Sequence, residues 1–355
     1  MCAHRLAPRA AELSTSIRRR SITSRKTLYL PNTELSADIP SDRAWATLQS
    51  LGAVVWNEME RDYTADEPAQ MLPGAEAVVT SWGSPIFAPE LVAEADRLRI
   101  VGRAAGSVKR LMPKEGYDRG VVVLSAASVI ADSVAEYTLW AMLSMQRNLY
   151  TCEHLMKVER GWRPFEKGSS HALYRKRVGI ISASMVGRQV IKLLQPFDCD
   201  VMVYDPYLGE PAARELGVRL VSLEEMFATG DIVSVHAPST DETKGMIGER
   251  HFKALQDGAL FIQTARNWVL DSAALLAELQ TGRIRAVLDV FDEEPLPGDD
   301  PLRDLDNVFL SPHVSGQTDE SRARLVEAIA EDMKRFFDGE APRLAVPWDR
   351  LKIMA

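Results

Sequence analysis

Residues Arg177–Tyr207 read RVGIISASMVGRQVIKLLQPFDCDVMVYDPY, and this stretch organises the chain. Val178, Gly179, Ile180 and Ile181 form an apolar run of strand type. Ser182 to Gly187 is a turn of small residues, after which Val190, Ile191, Leu193 and Leu194 recur at helical spacing. A second apolar run, Val201 to Tyr204, ends on Asp205. Strand, tight turn, helix, strand and acid is the order that opens a dinucleotide-binding βαβ unit. The helix N-terminus offers N–H groups and a positive dipole end to a pyrophosphate. A carboxylate at Asp205 suits a ribose 2′-OH. Ser184, Met185, Val186, Gly187 and Asp205 are therefore candidate cofactor contacts. The pattern G-x-G-x-x-G would put glycine at 182, 184 and 187, but the chain has Ser182 and Ser184 and keeps only Gly187. Each serine adds a Cβ where the backbone turns tightly or nears a phosphate, so weakened binding is expected. An ordinary βα turn without a ligand is the competing reading.

Composition sets the frame. The 355 residues suit two domains, and 46% hydrophobic with 26% charged residues is globular. A net charge of −8 without a basic stripe in the body of the chain argues against a nucleic-acid surface. Cys2, Cys152 and Cys199 are too few and scattered for a disulfide framework or a metal site. No apolar run approaches the roughly 18 residues a membrane span needs. Residues 1–26 hold Arg5, Arg9, Arg18, Arg19, Arg20, Arg25 and Lys26 against one acid, Glu12. They read as a disordered tail, with a transit peptide as the alternative. The protein is expected in the cytoplasm.

From Thr27 strand and helix alternate, which implies mostly parallel sheets covered on both faces. Ligands on such sheets sit beyond the carboxyl ends of the strands. The loops after the strands at 77–80 and 99–104 make Trp82, Gly83, Gly106 and Ser107 candidate substrate contacts. Asp132 to Arg147 reads as a long apolar helix that needs covering, between domains or against a second subunit. Residues 149 to 174 read as a polar, irregular excursion.

After Asp205 each strand delivers polar groups at its carboxyl end. These are His236 with Ala237 and Pro238, then Gln263, Thr264, Ala265 and Arg266, then Asp289, then Ser311, Pro312 and His313. Arg266, Glu294 and His313 form a coherent set. A guanidinium pairs bidentately with a carboxylate. An imidazole shuttles protons near neutral pH, and a carboxylate beside it stabilises its charged form.

The segments SVHAPSTDETKGMIG from Ser234, FIQTARNWVLDSAAL from Phe261, VLDVFDEEPLP from Val287 and LSPHVSGQTDESR from Leu310 carry a resemblance. From Lys176 to about Gly339 the chain resembles the D-isomer-specific 2-hydroxyacid dehydrogenases, the phosphoglycerate dehydrogenase and glyoxylate reductase relatives. More weakly, VAEYTLWAMLSMQRN from Val134 looks like the family's interdomain helix. The resemblance implies two doubly wound α/β domains with a cleft between them. A flavodoxin-like substrate domain would take 27–130 plus 317–345, and a Rossmann cofactor domain 131–316. It implies Arg266 as the substrate-binding arginine, Glu294 as the carboxylate partner and His313 as the acid–base. It places His236, Ala237, Pro238, Thr264, Ala265, Arg266, Asp289, His313, Ser315 and Gly316 around NAD, and Arg266 and His313 on the substrate. The implied activity is hydride transfer between NAD and a small D-2-hydroxy or 2-oxo acid. The apolar 132–147 helix points to a homodimer, and composition and charge to no membrane or nucleic-acid partner. The alternative is a non-catalytic dinucleotide sensor or scaffold on the same fold. With little chain after Phe337, no appended regulatory domain is expected. The family's usual glycines are replaced at Ser182, Ser184, Asn267 and Arg175, and its usual asparagine by Ile130.

Overall fold

A computed structural model describes residues 25–38, 40–162 and 170–354. The reading of 1–26 as a tail lies almost wholly outside the described residues. Its last residue, Lys26, begins the first strand instead, with Nζ donating to Met71 O at 2.6 Å.

The chain divides into two compact units. One runs to Val129 and resumes at Thr318–Leu351; the other is Ile130–Gln317 with the last few residues. The first unit has a five-stranded sheet of β1 (Lys26–Tyr29), β2 (Ala53–Trp56), β3 (Ala77–Thr80), β4 (Ile100–Arg103) and β5 (Val122–Ser125). The order is β2-β1-β3-β4-β5, all parallel. This is the flavodoxin-like winding, whose switch point falls between β1 and β3. Short helices α1 (Thr33–Asp38), α2 (Asp42–Leu51), α3 (Pro89–Glu94) and α4 (Lys114–Asp118) connect the strands. A long helix then runs on into the second unit as α5 (Ala127–Gln146).

The second sheet has seven parallel strands: β6 (Arg177–Ile181), β7 (Asp200–Tyr204), β8 (Arg219–Leu220), β9 (Ile232–Val235), β10 (Leu260–Gln263), β11 (Arg285–Leu288) and β12 (Val308–Leu310). The order β12-β11-β10-β9-β6-β7-β8 reverses between β6 and β9, as in a dinucleotide-binding sheet. Its helices are α6 (Leu149–Lys157), α7 (Met185–Leu194), α8 (Glu210–Leu216), α9 (Leu223–Thr229), α10 (Glu249–Ala254) and α11 (Ser272–Gln280). Val178, Ile180, Val203, Ile262 and Val287 lie buried on one side of this sheet's core, and Met226, Phe252, Phe261 and Leu288 on the other.

The last helix, α12 (Asp319–Phe337), returns to the first unit. It lies so close to β4 that a Cβ on Gly102 would sit 2.2 Å from Ile329 Cγ2. Asp332, buried in α12, accepts from the Arg343 and Leu344 N–H groups at 2.9 and 2.6 Å. Residues 344–346 then bond to β5 and shield its edge from stray pairing.

Two readings from the sequence are corrected here. The excursion after 149 contains a nine-residue helix, α6, because its turn-forming residues begin only at Arg160 and Gly161. The helix expected from Asp132 starts five residues earlier, at Ala127.

Candidate active site

The turn after β6 lies at the switch point of the second sheet. Ser182 adopts φ +76°, the left-handed conformation that glycine normally supplies. Its hydroxyl donates to Asp205 Oδ2 at 3.3 Å, and the Ala183 N–H donates to the same oxygen at 2.8 Å. Asp205 Oδ1 accepts from Tyr207 N at 2.8 Å. The carboxylate at the end of β7 thus clasps the turn, and three accepted bonds leave it room for about one more donor. Ser184 is not in a glycine conformation at all. At φ −63° it is the N-cap of α7, its Oγ accepting from Gly187 N at 3.3 Å. Gly187 is required, because a Cβ there would sit 2.1 Å from Ser182 O. The N–H groups of Met185 and Val186, in the first turn of α7, have no intrahelical acceptor and lie at the positive end of the helix. The residues present therefore fit a dinucleotide pyrophosphate, although two of the three glycines are gone.

The loops that follow β10, β11 and β12 bring Arg266, Glu294 and His313 together. His313 Nδ1 lies 2.7 Å from Glu294 Oε2, and Glu294 Oε1 accepts from Phe291 N at 3.0 Å. That fixes Nδ1 as the donor and leaves Nε2 for other work. Burial would raise the Glu294 carboxyl, but the hydrogen bonds from His313 and Phe291 and the charges of His313 and Arg266 outweigh it. The group is held below the usual carboxylate range. Arg266 is pulled down by burial and pulled back by the charges of Glu294 and Asp289, so these groups share one electrostatic environment. One Arg266 N–H is spent on Ala265 O at 2.7 Å. Gln263, which sequence reasoning left without a role, braces this corner. Its Oε1 accepts from Ala265 N at 3.0 Å and its Nε2 donates to Arg266 O at 3.1 Å. The signal for it was an amide closing an otherwise apolar strand.

Asp289 is fully buried. Its Oδ1 accepts from Ser311 Oγ at 2.6 Å and Val314 N at 2.9 Å, and its Oδ2 accepts from Ser315 N at 2.9 Å. This carboxylate holds the loop of His313, which itself adopts φ +55°. His236, at the end of β9, is buried with Nε2 2.9 Å from Ser234 Oγ and its pKa depressed to about 3 by desolvation, so it is a neutral imidazole. The Ala237 side chain belongs to the apolar core, with Pro238 beyond it half-buried. Thr264 is buried 3.5 Å from Thr138 Oγ1 on α5, and Gly316 lies against Ile130.

In the first unit Trp82 and Gly83 follow β3 at the switch point, the former half-buried, the latter exposed at φ +70° beside the Asp62 carboxylate. Gly106 and Ser107 follow β4, with Gly106 O accepting from Ser125 Oγ at 3.4 Å and Ser107 Oγ from Lys109 N at 3.2 Å.

Comparison with known proteins adds to this geometry. A family model described as D-isomer specific 2-hydroxyacid dehydrogenase, NAD binding domain, matches residues 139–315. A glyoxylate reductase of Korarchaeum cryptofilum is 32% identical over 282 residues, which cover 78% of this chain and 84% of that protein. A D-3-phosphoglycerate dehydrogenase of Archaeoglobus fulgidus is 32% identical over 81% of this chain but only 54% of its own length. The chain thus spans about half the length of the phosphoglycerate dehydrogenases it matches. A phosphoglycerate oxidoreductase structure from Rhizobium etli superposes with a TM-score of 0.76 at 27% identity, covering 91% of this chain and 98% of that one.

Proposed function

The chain belongs to the D-isomer specific 2-hydroxyacid dehydrogenase family, and from that premise we propose that it interconverts a small D-2-hydroxy acid and its 2-oxo acid with NAD. The observation that carries the reading is the 2.7 Å contact between His313 Nδ1 and Glu294 Oε2, with Arg266 in the same electrostatic environment.

When bound, the nicotinamide supplies or takes up the hydride. The rest falls to the chain. In reduction, the N–H groups of Arg266 not spent on Ala265 hold the substrate carboxylate and polarise the adjacent carbonyl. His313 gives the proton on Nε2 to the carbonyl oxygen, while Glu294 holds the proton on Nδ1 and stabilises the imidazolium before transfer. In oxidation His313 takes the proton back. Met185 N, Val186 N and Asp205 hold the dinucleotide, and neutral His236 adds no charge beside it. Trp82, Gly83, Gly106 and Ser107 are the proposed contacts for the rest of the substrate. NAD is preferred to NADP because Asp205 repels a 2′-phosphate, and Pro206 and Tyr207 supply no cation to receive one.

Two wider assignments belong to the same reading. Among the described residues no helix is long and apolar enough to cross a membrane. Cys152 and Cys199 are free thiols, which suits the reducing cytoplasm. The partner is a second copy of the chain.

The test is turnover of NADH against a panel of 2-oxo acids, with NADH binding measured in parallel. Binding without turnover of any of them would support the dinucleotide sensor and end the enzyme reading.

A further inference from the structure

The loop of His313 is tied to a residue that takes no part in the chemistry above. Tyr137 lies on α5, and its hydroxyl is 2.6 Å from Ser311 Oγ. Ser311 Oγ is in turn 2.6 Å from Asp289 Oδ1. Asp289 is a pure acceptor, so the serine proton is committed to it. The tyrosine must then be the donor in the first contact. The chain of bonds has one direction: Tyr137 O–H to Ser311 O–H to the Asp289 carboxylate. Asp289 passes the constraint on through the N–H groups of Val314 and Ser315, each at 2.9 Å. Those residues immediately follow His313, which holds a left-handed φ of +55° and donates its own N–H to Ser311 O at 3.1 Å.

We propose that Tyr137 is a positioning residue for the acid–base His313, acting through Ser311 and Asp289 to hold the loop 311–315 in the conformation that aims the imidazole. The proposal rests on the assignment of His313 as the proton donor. Three features support it. The loop conformation is intrinsically unfavourable for a residue with a side chain, so something outside it must hold it. Ser311 and Asp289 are buried, where bonds in series reinforce one another and a missing partner is costly. Burial also pushes the Tyr137 phenol up to about 12, so the hydroxyl remains a donor across the working pH range. A clamp of this kind does not titrate alongside the group it positions.

The variants are Tyr137→Phe, Ser311→Ala and Ser311→Thr in the full chain. Each is assayed for kcat, KM, NADH affinity and amide hydrogen exchange at Val314 and Ser315. Loss of one buried hydrogen bond of this class corresponds to about a tenfold effect. Ser311→Ala is expected to lower kcat about tenfold with KM and NADH affinity within about twofold. Tyr137→Phe is expected to lower kcat less, with a pH profile parallel to that of the unsubstituted enzyme. Ser311→Thr, which keeps the hydroxyl, restores kcat. Exchange at 314 and 315 accelerates in Tyr137→Phe and Ser311→Ala alike. Unchanged kcat in Tyr137→Phe would overturn the proposal, whatever Ser311→Ala does, as would a kcat loss matched by an equal loss of NADH affinity. If the unsubstituted protein turns over no 2-oxo acid, the assignment of His313 fails by itself. The exchange measurement then still decides whether Tyr137 holds the loop, and unchanged exchange overturns that too.

Discussion

At the scale of single residues, the lost glycines are the instructive case. Ser182 and Arg175 both stand where the family usually has glycine, and both keep the glycine conformation, at φ +76° and +58°. Ser182 donates its hydroxyl to Asp205, and the Arg175 N–H donates to Asp198 O at 2.9 Å. The sequence showed the substitutions but not these compensations, because a serine's φ depends on a carboxylate 23 residues away. The set Arg266, Glu294 and His313 came from the resemblance of the segments that carry it, since spacing alone left each of the three residues a plain structural reading. Its chemistry yields the first prediction. His313→Ala should lose about 10²–10⁴-fold in turnover while NADH affinity is retained, because in the proposed reaction the imidazole acts on the substrate oxygen. Arg266→Lys should chiefly raise KM, since a point charge replaces a two-pronged clamp. Glu294→Gln should lose less activity and move the reduction profile toward acid. An amide stabilises the imidazolium less than a carboxylate does. A profile that stays in place in steady-state assays would show that Glu294 does not face the working proton.

At the scale of elements, α7 and β9 make separate predictions. From the sequence both Ser182 and Ser184 are expected to weaken binding, but only Ser182 takes a glycine conformation. Ser184 caps α7, so Ser184→Ala should destabilise the second unit by about 1 kcal/mol in denaturant unfolding. Gly187→Ala should be far worse and abolish NADH binding, because the Cβ collides with Ser182 O, which belongs to the backbone and is not free to move aside. Unimpaired binding in that variant would place the dinucleotide elsewhere. The β9 end carries a pH dependence. His236 titrates near 6.5 when unfolded and about 3 when folded. The unfolded chain therefore binds the extra proton between those values. This contribution to stability is fully present above pH 6.5 and is lost as pH falls toward 3, by up to about 1.4 kcal/mol per pH unit. Thermal melts of the His236→Gln variant should show a shallower loss of stability between pH 6 and 4 than the unsubstituted protein. Identical slopes would mean that His236 is protonated in the fold.

At the scale of the molecule, strand alternation made both windings readable, while α6 escaped notice for a physical reason. Its N-cap, Asn148, sits at φ +49° without a side-chain cap bond, and none of its residues is buried. No core-facing stripe marks it, because its apolar side chains point outward. Leu149 is 52% exposed, Tyr150 57% and Met156 47%, and on the adjoining α5 Trp140 is 42% exposed. Trp140 and Tyr150 both lie edge-on to Phe309, which joins the two helices into one apolar patch on the second unit. A contiguous patch of large apolar side chains on a protein surface marks an association site. Self-association by a two-fold axis buries the same patch on both copies at once and leaves no new surface open. The last prediction is therefore a dimer closed over this face. Light scattering at micromolar concentration should give twice the 39.4 kDa of the chain. Trp140→Glu combined with Tyr150→Asp should return it to the single-chain mass, since burying two unpaired carboxylates per copy costs far more than the lost apolar contact alone. Trp140 also packs 5.3 Å from the Tyr137 ring, so retained NADH binding, rather than turnover, is the control that the double variant is folded. A single-chain mass for the unsubstituted protein, or a dimer that survives both substitutions, would move the interface elsewhere.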